Sequence, residues 1–428
     1  MTDVNWPTYD SYKDSGIEWI GDVPADWRVE PGRQCVVENK EKNAGMKEGT
    51  VLSLSYGRVI VKGEDDLTGL VPESFETYQV VRPGDIIIRG TDLQNDKTSL
   101  RTGLARDNGI ITSAYINLRP KRRIDPAFLH YLLHSYDVKK VFYALGSGLR
   151  QNLSYDDFKY LRLPIPSTEE QRAITAFLDE KCAKVDEAVR IKEEQIALLR
   201  ERRQILIQEA VTRGLNPHAP MKDSGIDWIG EIPAHWQLRR VKHHFREVNE
   251  RSEDGSEELL SVSHVTGVTA RSEKAVNMFM AEDYSGSKLC RPGDVVINTM
   301  WAWMGALGVS TLEGIVSPSY GVYRPLREDT FNGRYLEWLL RTTYYVEQYN
   351  KISTGLHSSR LRLYPHMFLG MPIAIPSLAE QDQIVAHIEK ETGKIDDAVL
   401  IKEEQIAKLK EYKTTLINAA VTGKIKVA

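Results

Sequence analysis

Glu38, Asn39 and Lys40, with Asp26 upstream, have the acid-x-lysine spacing with which many metal-dependent nucleases hold a divalent ion and activate water. That chemistry needs a hydrophobic strand to fix its ligands. No clear strand pattern carries these residues and the second half of the chain has no equivalent set, so a chance match is favoured. His243 and His244 are adjacent, which points them to opposite sides of a strand or far round a helix, and they read as surface residues rather than metal ligands. Cys35, Cys182 and Cys290 are odd in number, widely separated and outside any CxxC or Cys/His pairing, so they read as reduced packing residues. There is no GxxxxGKS/T loop, no GxGxxG and no NPPY-like tetrad, and Gly146-Ser147-Gly148 is too short to cradle a phosphate. None of these patterns makes a catalytic or metal site, and a further candidate chemistry is hydrogen bonding to nucleic acid.

Reading base edges takes side chains whose donors and acceptors match them, with Arg to guanine and Asn or Gln to adenine as the favoured pairs. The stretch from Arg89 to Arg101 offers Arg89, Thr91, Gln94, Asn95, Lys97 and Arg101, and a later loop offers Arg150, Gln151 and Asn152. The corresponding places in the second half carry Asn298, Thr299, Trp301 and Trp303, then His357, Ser358, Ser359 and Arg360. Each polar residue is equally compatible with a solvated loop. Trp301 and Trp303, two apart after an apolar run, favour core packing over stacking on an extruded base. A formal net charge of -4 argues against coating nucleic acid by bulk electrostatics. Yet between Arg82 and Arg123 nine Lys/Arg stand against four Asp, a local balance of +5 that the acidic remainder hides.

The elements that must position these residues are written twice. KDSGIEWIGDVPADW, Lys13 to Trp27, returns as KDSGIDWIGEIPAHW, Lys222 to Trp236, and RPGDIII at Arg82 returns as RPGDVVI at Arg291, both at a shift of 209. PIPSTEEQ ending at Gln171 returns as AIPSLAEQ ending at Gln381, and KVDEAVRIKEEQIALL from Lys184 as KIDDAVLIKEEQIAKL from Lys394. Copies of about 200 residues suit tandem domains rather than a solenoid. IKEEQIA is identical in both copies, whereas the stretches after RPGD diverge; something shared meets the first and something different meets the second. The 428 residues, 41% hydrophobic and 27% charged, suffice for two packed cores.

Apolar runs such as GDIII and INL, bounded by Gly, Pro and polar residues, predict strands, and Asp125 followed by Pro126 predicts a helix start. Ser167-x-x-Glu170 and Ser377-x-x-Glu380 read as capping boxes that open long helices. In the first of these, Val185, Val189, Ile196, Leu199, Leu206 and Ala210 fall at 3.5-residue spacing, interrupted by Lys192 and Arg203. Ile395, Val399, Ile406, Leu409, Leu416 and Ala420 repeat the pattern, interrupted by Lys402 and Lys413. Such a stripe is a coiled-coil or bundle seam, and the simplest partner of one helix is the other. The expected division is a mixed α/β domain over 1–166, a helix over 167–213, a linker over 214–220, a second domain over 221–376 and a helix over 377–428. Trp19, Trp27, Trp228 and Trp236 recur in both copies and are assigned to core or partner contact. No long apolar run and no signal-like start are present, so a cytoplasmic protein is expected.

The duplicated order SGIxWIGxxPxxW, RPGD, a GSGLRQNLS-like loop, IPxPxxEQ and a long charged helix resembles the specificity subunits of type I restriction-modification systems, over nearly the entire chain. The resemblance implies an α+β chain with two target recognition domains and two long helices paired as an antiparallel coiled coil with pseudo-twofold symmetry. It implies double-stranded DNA as ligand, read at an asymmetric two-part target. It also implies two methyltransferase subunits and two ATP-dependent restriction subunits as partners, which would hold the S-adenosylmethionine, ATP and magnesium, with no cofactor, metal or catalytic residue in this chain. Competing readings are a fused restriction enzyme that both reads and cuts, and a scaffold with no DNA role.

Overall fold

The computed structural model describes residues 6–63, 74–95, 100–145, 152–273, 283–355 and 361–427. Two compact units divide the chain: residues 1–193 with 403–428, and residues 194–402. The division cuts both long helices, so each unit is one mixed domain plus half of each helix.

In the first unit a four-stranded antiparallel sheet runs in the order Val36–Glu38, Ile116–Pro120, Ile86–Ile88, Thr102–Leu104. Strand alternation decides where its apolar residues go. Ile86 and Ile88 face the main core with Leu118, Phe128 and Leu132, while Ile87 faces a smaller cluster with Leu52, Val81 and Ile111. The strand is apolar throughout because both its faces are covered. The hairpin Leu52–Ser55 with Arg58–Val61 belongs to that second face. Helix Pro126–Val138 packs on the main face, its N-terminus capped by Asp125, whose Oδ1 accepts from the Phe128 amide at 2.9 Å. The second unit repeats the plan with Phe245–Val248, Gly321–Pro325, Val295–Ile297 and Leu307–Val309, and with helix Gly333–Leu340 capped by Asn332.

The long helices are Thr168–Arg213 and Leu378–Val421, of 46 and 44 residues. They pair antiparallel. In the first unit Lys413 Nζ donates to both Asp186 carboxylate oxygens at 2.7 Å and Lys192 Nζ donates to Gln405 Oε1 at 2.7 Å. In the second, Arg203 faces Asp396 at 3.4 Å, and Ala210 and Val211 share a core with Ile384 and Ile388. The polar interruptions Lys192, Arg203 and Lys413 thus have partners on the facing helix. Along the seam Val185, Val189, Ile196, Ile395 and Leu416 are buried, and Leu199, Leu206, Val399, Ile406 and Leu409 are half-buried. The last turn of the second helix ends in the first unit's core, where Ala420 and Val421 pack with Trp27 and Ile20. Lys424 Nζ then reaches the Asp22 carbonyl at 2.6 Å.

The capping boxes form by one limb only. Ser167 and Ser377 accept from the amides of Glu170 and Glu380 at 3.2 and 3.3 Å. The glutamates are drawn elsewhere: Glu170 Oε1 accepts from the Trp27 indole at 3.1 Å and from the Tyr9 hydroxyl, and Glu380 Oε1 from the Trp236 indole at 3.1 Å. A buried indole N–H is costly to leave unpaired, which outweighs the reciprocal cap. The Glu38 region also differs from expectation, since Val36–Glu38 is a strand. Lys40 pairs with Glu38 at 2.8 Å and Asn39 Nδ2 donates to the Val80 carbonyl at 2.7 Å. These side chains serve one another and the fold, and among the described residues no group of three or more His, Cys, Asp or Glu is placed to hold a metal.

Candidate nucleic-acid interface

The frame beneath the divergent loops is the RPGD turn. Gly84 and Gly293 sit at φ of +94° and +87°, where a side chain is strained, and the following aspartate folds back so that its carboxylate accepts from the amide of Arg82 or Arg291. The same carboxylate then takes a two-pronged arginine from the neighbouring strand. Arg119 meets Asp85 through Nε and Nη2, both at 2.8 Å, and Arg324 meets Asp294 at 2.9 and 2.8 Å. These bonds hold both guanidinium pKa values above their ordinary range. The strands that lead into the divergent loops are thereby pinned at their starts.

The EQ of the second motif bolts the domain helix to the long helix. Gln171, fully buried, accepts from the Asp125 amide at 2.8 Å and donates to the Pro166 carbonyl at 3.0 Å; Gln381 does the same with Asn332 at 2.9 Å and Pro376 at 3.1 Å. Sequence reasoning missed both frames. The signal was present for the aspartates and glutamines, which recur at shifts of 209 and 210, but not for Arg119 and Arg324, which stand 205 apart.

On this frame the two stretches singled out in each half come together. In the first unit the Leu153 amide donates to the Gly90 carbonyl at 2.7 Å and the Asp92 amide to Asn152 Oδ1 at 3.0 Å. In the second the Leu363 amide donates to the Thr299 carbonyl at 3.0 Å. Gln94 and Asn95 are exposed, Asn95 donating to Asp92 at 2.8 Å, and Asp92 holds the left-handed conformation at φ +59°. Such a conformation in a non-glycine residue persists only where its surroundings fix it. Arg89 and Thr91 are half-buried.

Arg101 corrects the expectation of a surface reader. It is fully buried, donating to the carbonyls of Arg89, Thr91 and Asp92 at 2.8 to 3.2 Å and to the Tyr143 hydroxyl at 3.1 Å. These four bonds shape the loop from inside. Asn298 is also buried, donating to the Tyr320 hydroxyl at 3.1 Å and accepting from the Met300 amide, and the Thr299 hydroxyl donates to the Ser319 carbonyl at 2.8 Å. Trp301 departs from the expected core packing. It is 51% exposed and lies parallel to the half-buried Trp303, whose indole donates to the Met300 carbonyl at 3.1 Å. Trp27 and Trp236 are core, while Trp19 and Trp228 stand edge-on to Tyr136 and Tyr345. Lys97, Arg150, Gln151, His357, Ser358, Ser359 and Arg360 lie outside the described residues.

The family model for the type I restriction modification DNA specificity domain matches residues 81–199. The chain is similar to the specificity subunit of the MjaVIII type I restriction enzyme of Methanocaldococcus jannaschii, 24% identical over 337 residues, 74% of this chain and 75% of that protein. It is also similar to the putative MjaX specificity subunit of the same organism, 22% identical over 436 residues, 95% of this chain and 96% of that one. In fold it matches a chain from a study of complex assembly and conformational transition of the type I R-M system, with a TM-score of 0.66, 18% identity and coverage of 93% and 98%. The HsdS subunit of Thermoanaerobacter tengcongensis matches with a TM-score of 0.50, 17% identity and coverage of 94% and 98%. A specificity-domain match within the sequence and specificity subunits that resemble the chain over most of its length support its likeness to the type I restriction-modification specificity subunits, and the solved structures share its fold.

Proposed function

We propose that this chain is the DNA-reading subunit of a type I restriction-modification complex, in which each unit reads one half of an asymmetric two-part target. The observation that carries the reading is the loop pair in each unit. Two segments distant in sequence are hydrogen-bonded together at the end of a pinned strand, and the first of them, after RPGD, diverges between the copies. A common frame with different loops is what reading two different half-sites requires, because phosphate contacts position a protein while base-edge contacts specify sequence. The identical stretches of the paired helices suit identical partners. Two methyltransferase subunits and two ATP-dependent restriction subunits are assigned to that surface, with S-adenosylmethionine, ATP and magnesium held by them. In this reading the chain is non-catalytic alone and works in the cytoplasm; no helix among the described residues is long and apolar enough to cross a membrane.

Methylome sequencing of cells expressing the chain with its neighbouring methyltransferase tests the proposal. A modified adenine in a two-part motif is the expected result. Cleavage or methylation by the purified chain alone would favour the fused enzyme instead.

A further inference from the structure

The domain helices of the two units differ at two matched positions. Counting from the caps Asp125 and Asn332, the fifth and ninth residues are His130 and His134 in the first unit but Glu337 and Arg341 in the second. In the second unit this pair is a latch. Glu337 accepts from the Val309 amide at 3.0 Å and pairs with Arg341 at 2.9 Å, and Arg341 donates to the carbonyls of His264 and Val265 at the tip of the hairpin Leu260–Ala270. Among the described residues of the first unit these positions form no such ion pair, and His130 bonds instead to the backbone of Thr102. Its imidazole rings lie 6.3 Å apart, and beside them a cavity of about 760 Å³ opens between the hairpin Leu52–Val61, the domain helix and the two long helices.

Charge in this cavity is unbalanced. Its two acids are occupied, Asp179 by the Tyr131 hydroxyl at 2.7 Å and Asp186 by Lys413 at 2.7 Å. Against them stand Arg58 from the hairpin, Arg106 from the connection after strand Thr102–Leu104 and Lys410 from the second long helix, the last 3.8 Å from Glu193. Arg58 and Arg106 are exposed and their guanidinium groups make no ion pair among the described residues. His130 Nε2 is enclosed without a hydrogen-bond partner. Burial, reinforced by mutual repulsion and by Arg106, pushes the His130 pKa down to about 4, and burial with Lys413 does the same for His134.

We infer that this cavity of the first unit is a binding site for a phosphate-bearing anion, held by Arg58, Arg106 and Lys410 with His130 and His134 as proton-accepting partners. A phosphate group presents several oxygens, which suits converging guanidinium forks and an ammonium. Its negative charge offsets the cations that add to burial in disfavouring the charged imidazoles, so the ligand enters together with a proton: the proton bonds to a histidine nitrogen and the resulting N–H donates to a phosphate oxygen. The volume is of the size that small ligands occupy. Tyr56, 93% exposed, and Tyr131 line the same space. The inference rests on these side chains and not on the reading of DNA by the loops.

Calorimetric titration of the full chain near pH 6.5, in two buffers of unlike ionisation enthalpy, tests it with sodium pyrophosphate, AMP and a short duplex lacking the target motif. Saturable pyrophosphate binding with net proton uptake is expected, weakened by about tenfold or more in Arg58→Ala/Arg106→Ala and lost in His130→Glu/His134→Arg, which copies the second unit. Should the histidine variant fail to fold, the exposed arginine variant decides. Tighter binding of AMP than of pyrophosphate identifies a free nucleotide as the source; displacement of pyrophosphate by the duplex identifies the DNA backbone. Absence of saturation at millimolar concentration, binding without proton uptake, or unchanged binding in the arginine variant overturns the site.

Discussion

Acid should unfold the first unit before the second, because His130 and His134 of its domain helix stand where the second unit has Glu337 and Arg341. Both imidazoles have folded pKa values pushed down to about 4, below the unfolded value of about 6.5. Above about pH 6.5 they are neutral in both states and cost nothing. As pH falls below that, the unfolded chain takes up protons that the folded unit refuses, so stability declines until the folded pKa is reached. At about pH 5.5 linkage gives roughly 1.4 kcal/mol per histidine. Both side chains keep some contact with solvent, which brings the pair to about 2 kcal/mol. Against a domain stability of about 5–15 kcal/mol that is a measurable fraction. Hydrogen exchange read peptide by peptide at about pH 7 and 5.5 should show, after correction for intrinsic rates, a larger loss of protection in 126–138 than in 333–340. His130→Gln/His134→Gln should remove the difference. Equal losses in the two helices, or a difference that survives the double variant, would refute the argument.

Three further outcomes follow from the interface. Asp294→Ala leaves Arg324 without its main partner and should cost about 2–3 kcal/mol in denaturant unfolding, since Asp294 is buried and Arg324 nearly so. Arg101→Lys cannot fork to three carbonyls; it should relax selectivity at the first half-site in binding selections while leaving the second unaltered. Trp301→Ala, at an exposed position, should change stability by less than about 0.5 kcal/mol yet weaken binding to the second half-site by about 1–3 kcal/mol, as measured by titration with duplexes altered in one half at a time.

Much of the architecture was legible because it was written twice. A constant shift exposes tandem copies without any local assignment, and a 3.5-residue stripe interrupted by lysine or arginine announces a seam whose interruptions need partners, as Lys413 and Asp186 show. The site was less legible. A sequence gives the number of donors on Arg101 but not that the guanidinium turns inward, and it shows Asn298 as a polar residue after a strand without the Tyr320 hydroxyl waiting beneath it. Glu170 and Glu380 fit a capping box by spacing, and only the positions of Trp27 and Trp236, far off in the chain, decide otherwise. Trp301 failed in the opposite sense. Large aromatic residues are usually buried, and a short turn closed by Gly305 at φ +79° leaves this one at the surface.

The central claim is that the units read independent halves of one target on a shared frame. Replacing residues 29–163 by the recognition segment of a relative, expressing the chimera with the partner methyltransferase and sequencing the methylome tests it most directly. The replaced segment contains the first loop pair and both members of the Asp85–Arg119 lock, while the second loop pair and its Asp294–Arg324 lock lie outside it. One half of the methylated motif should change and the other should stay as it was. A motif altered in both halves, or in neither, would contradict the account.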